Sequence, residues 1–223
     1  MPDGRLFIGN RRYSSWSLRG WLAVRMAGLD VQEVVLPLAG GNTPEVLALP
    51  SRQVPYLEHR GNAVWESLAI AEYCAEQAPG LWPEDPAARS LARVVSAEMH
   101  AGFRALRLAL PMNLGREGRP VPLTPEVEDD IARVETLWKL ARGRFGPSST
   151  GGGGPYLFGA AFTLADAMFA PVVTRFLSYA APVGPESRAY CEAVHRHPLM
   201  AEWREAAMAE PEAWQLAKYE QIA

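Results

Sequence analysis

The sequence predicts an α/β unit at residues 1–80 followed by an all-α domain at residues 87–223. Before residue 80, short β-prone segments alternate with amphipathic helical segments. The run Ala78-Pro79-Gly80 then interrupts this pattern, and the later apolar segments have helical spacing. A chain of 223 residues can form two small domains, and residues 81–86 are predicted to link them.

The first domain is predicted to begin with a buried strand over residues 5–9. A polar segment rich in capping residues leads into a helix over 18–27, which Gly28 ends, and a second strand follows over 31–36. Residues 56–59 and 63–65 then predict a hairpin around Arg60-Gly61-Asn62. Ser67 is predicted to cap a helix that ends near residue 78.

Pro55 is predicted to open a strand or to lie on a bend before it, because proline has no N–H for a sheet ladder. The cis form costs little at an X-Pro bond, and a cis Val54-Pro55 would leave the backbone of Val54 free to pair with an extended peptide-like ligand. An ordinary trans proline is the alternative that these residues alone favour.

Glu66 and Ser67 precede a predicted helix. A helix N-terminus attracts a carboxylate, and Glu66 can hold an ammonium, so together they suit an α-amino acid head group. For an isolated pair, the simpler interpretation is a capping serine beside a solvated glutamate.

Gln53-Val54-Pro55 followed by Glu66-Ser67 resembles the glutathione-binding half of the cytosolic glutathione transferase superfamily. The resemblance covers roughly the whole chain and implies a thioredoxin-like first domain. It implies that the cis-proline loop binds the cysteinyl backbone of glutathione and that the acid-serine pair binds its γ-glutamyl end. It also implies glutathione as cosubstrate, a small electrophile as second substrate, a role in detoxification and a homodimer.

Composition argues against several other classes of function. The chain is 48% hydrophobic and 21% charged with a net charge of -3, which disfavours nucleic acid or an anionic membrane as the main partner. The absence of a long apolar run and of a signal-like start leads us to expect a cytoplasmic protein. Cys74 and Cys191 lie outside any CxxC pattern, and His195-x-His197 has no third ligand near it, so neither a disulfide framework nor a metal site is predicted.

The second domain is predicted to contain a long helix from residue 87 to Pro111 and another that starts at Thr124-Pro125. Thr163 and Asp166 have capping-box spacing before a nearly all-apolar helix to about residue 179, as the superfamily also has. Shorter helices over 186–195 and 198–209 and an irregular tail complete the chain. Residues 146–155 are rich in glycine and predict a flexible surface loop.

The expected chemistry is ionisation of the glutathione thiol. A cysteine thiol has a pKa of roughly 8.5, and a hydroxyl and a helix N-terminus both favour the thiolate. Residues 13–19 resemble the Ser-Ser-Cys-x-x-Arg segment of the zeta class, the maleylacetoacetate isomerases, which assigns activation of the thiol to Ser14, with Ser15 second. Trp16 replaces the zeta cysteine. Tyr13 is a rival hydroxyl, and both serines also suit a plain helix cap.

The electrophile is expected between the domains, in a mixed apolar and basic pocket that suits an aromatic molecule or an unsaturated acid. The candidate lining residues follow the predicted linker: Met99, His100, Phe103, Arg107, Met112 and Asn113. The same residues also fit plain core or a dimer interface. Arg19 is expected to hold a glutathione carboxylate or to brace the two domains.

The leading hypothesis is a glutathione S-transferase that attacks a small electrophile with a serine-stabilised thiolate. The alternatives are a glutathione-dependent cis-trans isomerase of the maleylacetoacetate type and a catalytically silent glutathione-binding scaffold. A glutathione-linked thiol oxidoreductase is disfavoured, because no cysteine stands at the first helix start.

Overall fold

The computed structural model describes residues 2–146 and 153–222. Its sheet has four strands in the order β2-β1-β3-β4. The strands are β1 (Gly4–Gly9), β2 (Val31–Leu36), β3 (Tyr56–His59) and β4 (Asn62–Trp65). β1 pairs in parallel with β2 and antiparallel with β3, and the predicted hairpin joins β3 to β4. The α/β first domain is therefore confirmed.

Two longer helices and one short helix accompany this sheet. They are α1 (Ser15–Met26), α2 (Pro44–Leu47) and α3 (Ser67–Gln77). α1 packs against α3, and Leu18 and Ile70 join Leu6 and Leu57 of the sheet in one buried core. α2 was not predicted, because a segment of four residues has no apolar period to reveal it.

In the second domain, the regular elements of the part that the structure describes are all helices. Its helices are α4 (Pro86–Ala101), α5 (Arg104–Ala109), α6 (Pro125–Phe145), α7 (Leu164–Ser178), α8 (Pro185–Arg196), α9 (Pro198–Met208) and α10 (Ala217–Glu220), with a 3₁₀ turn at Glu212–Trp214. α7 is almost entirely buried and packs against α1, α4 and α8. It is the central helix of the domain and makes the most extensive helix contact with the first domain, through α1.

The single long helix predicted from residue 87 to Pro111 is wrong, because the chain breaks at Gly102-Phe103. α4 ends at Ala101 with Gly102 as its C-cap, and Phe103 has a left-handed φ of 62°. A Cβ at position 102 would lie 2.8 Å from the carbonyl oxygen of Glu98, so the close approach of the backbone requires glycine here. The break separates α4 from α5, which packs against α6.

The segment between α3 and α4 is anchored on the second domain. Leu81 and Trp82 are buried, and the carbonyl oxygen of Leu81 accepts a hydrogen bond from Leu164 N at 2.9 Å. The assignment of residues 81–86 as an interdomain linker stays a prediction. Residues 147–152 of the predicted flexible loop lie outside the described residues.

Asp166 organises the start of α7. Its carboxylate closes the capping box with Thr163, accepting from the Thr163 backbone N–H at 2.8 Å and from its hydroxyl at 2.9 Å. It also accepts from Leu157 N at 3.0 Å and from the Tyr190 hydroxyl at 3.1 Å. Burial raises the pKa of the Asp166 carboxyl, and these hydrogen bonds oppose that rise.

No helix within residues 2–146 and 153–222 combines the length and the apolar character needed to cross a bilayer.

Candidate functional site

The Val54-Pro55 peptide bond is cis, so the trans alternative is wrong. Pro55 lies directly against α1, where a Cβ at Gly20 would come within 2.8 Å of the Pro55 ring. The sequence places glycine at this contact, which lets the helix approach the loop closely. The loop that enters β3 is therefore held against the helix that begins at Ser15.

Glu66 and Ser67 stand at the beginning of α3, but Ser67 is not its cap. Glu66 is the capping residue, with a φ of 67°, and Ser67 is the first residue of the helix. The Ser67 side chain is 1% exposed, and its Oγ has no hydrogen-bond partner among the residues that the structure describes. A buried hydroxyl at a helix N-terminus is thus left with its hydrogen-bonding capacity unused.

One cavity brings the predicted glutathione-binding residues together. It has a volume of about 210 Å³ and is lined by Gln53, Val54, Pro55, Glu66, Ser67 and Trp16. Gln53 Nε2 donates to Glu66 Oε1 at 2.6 Å, which orients the carboxylate at its rim. We call this space the Glu66–Ser67 cavity.

Ser14 and Ser15 lie at the beginning of α1, which starts at Ser15, three residues before the predicted start at residue 18. Ser14 is the N-cap: its Oγ accepts from Ser17 N at 3.3 Å and donates to Ser17 Oγ at 2.8 Å. Ser15 is the first helical residue, and its Oγ accepts from Arg175 Nη2 at 3.2 Å. The two neighbouring hydroxyls therefore have different partners.

Both serines border a second cavity between the domains, which we call the cleft cavity. Its volume is about 260 Å³, and its lining includes Ser14, Ser15, Trp16, Arg107, Met112, Arg175, Leu216 and Tyr219. Trp16 lines this cavity and also the Glu66–Ser67 cavity, so the two spaces adjoin at its indole ring. A ligand in one space is next to a ligand in the other.

The Tyr13 hydroxyl is engaged with the C-terminal segment. It donates to Glu220 Oε1 at 2.5 Å and accepts from Leu216 N at 3.1 Å. Burial, and then the hydrogen bond to Glu220, raise the pKa of Tyr13 to about 12. Through these two hydrogen bonds, the Tyr13 hydroxyl holds the C-terminal tail, residues 212–222, against one side of the cleft cavity.

The six residues predicted to line the electrophile pocket do not all line the same cavity. Arg107 and Met112 line the cleft cavity. Met99 and Phe103 do not line it, and both are buried in the hydrophobic core. Asn113 does not line it either, and its amide donates to the Tyr219 carbonyl oxygen at 3.2 Å.

His100, the remaining candidate, lies on the glutathione side of Trp16. Its ring contacts Trp16 edge-on at 5.2 Å, and its Nε2 is 3.6 Å from Glu66 Oε2. Burial lowers the pKa of His100 despite the opposing charge of Glu66. At neutral pH this ring is therefore an uncharged neighbour of the glutamate.

Sequence reasoning missed Arg175, Leu216 and Tyr219 in the lining of the cleft cavity. The available signal for Arg175 was a lone basic residue in an otherwise apolar helix. No comparable signal marks Leu216 and Tyr219, which the tail brings back to the cleft.

Arg19 braces the two domains. It is 1% exposed, and its Nε donates to the Met168 carbonyl oxygen on α7 at 2.7 Å. Its guanidinium also lies 4.8 Å from the Trp16 ring. Desolvation, followed by the charges of Arg107 and Arg175, lowers the pKa of Arg19.

Neither cysteine serves this site. Cys74 and Cys191 are free and buried, and burial raises the pKa of each thiol to about 12. Among the described residues, no cluster of three or more histidine, cysteine or acidic side chains is arranged to hold a metal ion.

The fold defines a class of two-domain proteins in which a four-stranded α/β domain is joined to a helical domain, with a cleft at their boundary. Comparison with known proteins identifies the family. The family model "Glutathione S-transferase, N-terminal domain" matches residues 13–77, and "Glutathione S-transferase, C-terminal domain" matches residues 97–206. The chain belongs to the glutathione S-transferase family, and its first domain has the thioredoxin-like fold.

Similar proteins include two isomerases. Maleylacetoacetate isomerase of Rattus norvegicus is 27% identical over 193 residues, covering 83% of this chain and 84% of that protein. The Mus musculus protein of the same name is 29% identical over 153 residues, covering 65% and 71%. The crystal structure of a glutathione transferase homolog from Burkholderia GL BGR1, with bound glutathione, has a TM-score of 0.68 at 20% identity and covers 94% of this chain and 100% of that one. This last similarity shows the shared fold.

Proposed function

We propose that the protein is a glutathione S-transferase that binds glutathione in the Glu66–Ser67 cavity and directs its sulfur to the beginning of α1. The observation that carries the proposal is the Ser67 hydroxyl, which is buried and unpartnered at the start of α3. Leaving such a group unsatisfied costs about 1–3 kcal/mol. A carboxylate bound at this helix N-terminus would accept its proton and remove that cost.

The remaining groups of this cavity match the rest of the tripeptide. Glu66 presents a carboxylate for the α-ammonium of the γ-glutamyl end, and Gln53 fixes its orientation at 2.6 Å. The backbone of Val54, before the cis Pro55, borders the same cavity and supplies the peptide groups that pair with the cysteinyl residue.

The thiol is then ionised beside Ser14 and Ser15. The N-terminus of α1 carries a partial positive charge, and a serine hydroxyl can donate a hydrogen bond to sulfur; both favour the thiolate. The thiolate attacks an electrophile in the adjoining cleft cavity, where Trp16 and Met112 offer apolar contact.

A second candidate function is isomerisation of an unsaturated acid. Arg107 and Arg175 line the cleft cavity, and no aspartate or glutamate appears among its described lining residues. Guanidinium groups in such a space favour a carboxylate on the electrophile. The relatives named maleylacetoacetate isomerase make this the acid to try first.

We also propose a cytoplasmic homodimer. The exposed side chains of Trp65 on β4 and Val94 on α4, at 45% and 54% exposure, supply apolar surface for a second copy. Two free, buried cysteines suit a reducing compartment. Light scattering coupled to size-exclusion chromatography measures the oligomeric state directly.

The experiment that tests the main proposal combines binding with turnover. Calorimetry measures glutathione affinity, and a panel of a halogenated aromatic, an organic peroxide and a maleyl-type acid measures activity. Binding with turnover of any member supports the transferase, and turnover of the maleyl acid without consumption of glutathione supports the isomerase. Binding without turnover favours the catalytically silent scaffold, and absence of binding refutes all three.

A further inference from the structure

Three arginines from three helices surround the beginning of α1 at the cleft. They share one feature: their hydrogen bonds go to carbonyl and hydroxyl oxygens, and among the described residues none makes a salt bridge. The three are Arg19 on α1, Arg107 on α5 and Arg175 on α7. Carbonyl and hydroxyl oxygens carry no net charge, so the positive charge of these groups is not neutralised by what they bind.

Two arginines line the cleft cavity, Arg107 and Arg175, and Arg175 is the more buried of the two. It is 5% exposed, and its Nη1 donates to the carbonyl oxygens of Leu110 at 2.5 Å and Arg107 at 3.2 Å. Desolvation, and then the charge of Arg107, lower the pKa of Arg175 to about 10. A guanidinium stays charged at neutral pH even so, and a buried charge without a counterion is unfavourable until an anion binds nearby.

The remaining contact of Arg175 is with the Ser15 hydroxyl. Arg175 Nη2 donates to Ser15 Oγ at 3.2 Å, which occupies a lone pair of that oxygen. No described residue accepts the Ser15 proton, whereas the Ser14 proton is directed to Ser17 Oγ at 2.8 Å. Ser14 Oγ already has two hydrogen-bond partners in Ser17, whereas Ser15 Oγ has no described acceptor, so Ser15 is the hydroxyl that is left without an acceptor for its proton.

We propose that Arg175 is a positioning residue that makes Ser15 the hydrogen-bond donor to the glutathione sulfur and supplies positive charge that stabilises the thiolate. In this step the thiol loses its proton to solvent water, and the sulfur keeps the electron pair. This inference rests on the proposed function, because it needs glutathione in the Glu66–Ser67 cavity. It assigns the hydroxyl role to Ser15 in place of Ser14.

The groups that influence the sulfur at this position come from several elements. They are Arg19, Arg107, Arg175, Tyr13 and Tyr219 around the cleft cavity, with Glu66 and His100 across Trp16. The Tyr13 hydroxyl and the three arginines keep their protonation state near neutral pH. A change in the ionisation of the bound thiol near neutral pH therefore reports on the hydroxyl donor and the nearby charge.

The test measures the pKa of the bound thiol from the ultraviolet absorbance of the thiolate across pH. Arg175→Gln is expected to raise this pKa by about one unit, which lowers the thiolate fraction about tenfold at pH values well below the pKa and by less at pH values near or above it. The kcat/KM for a neutral halogenated aromatic should fall by the same factor and recover at higher pH. The KM for glutathione should stay within about twofold, because the tripeptide is held elsewhere, and Arg175→Lys should restore part of the thiolate.

Arg116→Gln is the matched control. Arg116 is also buried and bonded to backbone carbonyls, at Arg119 and Ile222, but it does not line the cleft cavity. Its loss should leave the thiol pKa unchanged. Circular dichroism confirms that each variant is folded, and Ser15→Ala tests the same step with a smaller change if Arg175→Gln does not fold.

Three outcomes overturn the inference while leaving the proposed function intact. One is a thiol pKa that Arg175→Gln and Ser15→Ala leave unchanged in a protein that still binds glutathione. Another is a thiol pKa that rises more in the Ser14→Ala variant than in the Ser15→Ala variant. The last is that Arg175→Gln raises only the KM for the maleyl-type acid and changes nothing else. That result would make Arg175 a binding group for the substrate carboxylate. Failure of the wild-type protein to bind glutathione would instead refute the proposed function.

Discussion

Replacing Ser67 by alanine should stabilise the free protein and weaken its binding of glutathione. The hydroxyl is buried and unpartnered, so the folded protein carries the desolvation cost of that group. Removing it should raise the free energy of unfolding by about 1 kcal/mol, which corresponds to about 2–4 °C in Tm for a chain of this size. The two effects have opposite signs, which a general loss of structure cannot produce.

The expected loss of affinity follows from the same hydroxyl. A hydrogen bond to a charged carboxylate contributes about 1.5–3 kcal/mol, so the Kd for glutathione should rise about tenfold or more. Titration calorimetry measures the Kd, and differential scanning calorimetry measures the Tm of the free protein. The γ-glutamyl carboxylate is the group proposed to accept this bond, so glutathione lacking its γ-glutamyl residue should bind wild type and variant alike.

Ser96→Ala is the matched control for this experiment. Ser96 Oγ on α4 is also buried without a partner among the described residues, but it does not line the Glu66–Ser67 cavity. Its removal should raise the Tm by a similar amount and leave the Kd unchanged. If Ser67→Ala lowered the Tm and preserved the Kd, the unpartnered hydroxyl would not be a ligand group and the reasoning would be refuted.

Three further predictions concern the support of the site. Gly20→Ala should destabilise the fold by about 1–2 kcal/mol in urea titrations and weaken glutathione binding, because its Cβ would meet Pro55 at 2.8 Å. Asp166→Ala should cost at least about 3 kcal/mol by the same measurement, because it leaves buried donors unpaired. Burial raises the pKa of Glu220, but hydrogen bonds such as that from Tyr13 outweigh it and leave the pKa lowered. Its contribution to tail stability is therefore present above the unfolded pKa and is lost as pH falls below about 4, which hydrogen-exchange protection of residues 212–222 measures.

Each of these predictions has an outcome that contradicts it. A Gly20→Ala protein as stable as wild type would show that the loop yields to the added methyl group. An Asp166→Ala protein that loses less than about 1 kcal/mol would show that water replaces the carboxylate. Equal pH dependence of tail protection in wild type and Glu220→Gln would remove Glu220 as its cause.

The first domain could be predicted well because its signals are local. β-prone segments, a Gly-Asn turn and helix-breaking residues lie next to the elements they bound, and the observed hairpin at β3 and β4 follows them closely. The break at Gly102 could not be predicted, because the apolar spacing continues across it. The chain leaves the helix at Gly102, and Phe103 takes a left-handed φ of 62°, which the spacing of apolar residues does not encode.

The Glu66–Ser67 cavity and the surroundings of the serine pair also differ in how well the sequence predicts them. The five predicted glutathione-binding residues are close in sequence and line one cavity, as the joint pattern implied: Gln53, Val54, Pro55, Glu66 and Ser67. Arg175 meets Ser15 across 160 positions, and no local pattern connects them. Two adjacent serines look equivalent in the sequence, and only their different hydrogen-bond partners distinguish them.

The ties between α1 and α7 have a consequence for protein engineering. Arg19 reaches the backbone at Met168, and Arg175 reaches Ser15, so the helical domain provides part of the surroundings of the serine pair. A chimera that combines this first domain with the helical half of a relative would exchange more than the choice of electrophile. If the relative lacks a basic side chain at the place of Arg175, the graft would also change how readily the thiol ionises, so the two halves should be redesigned jointly.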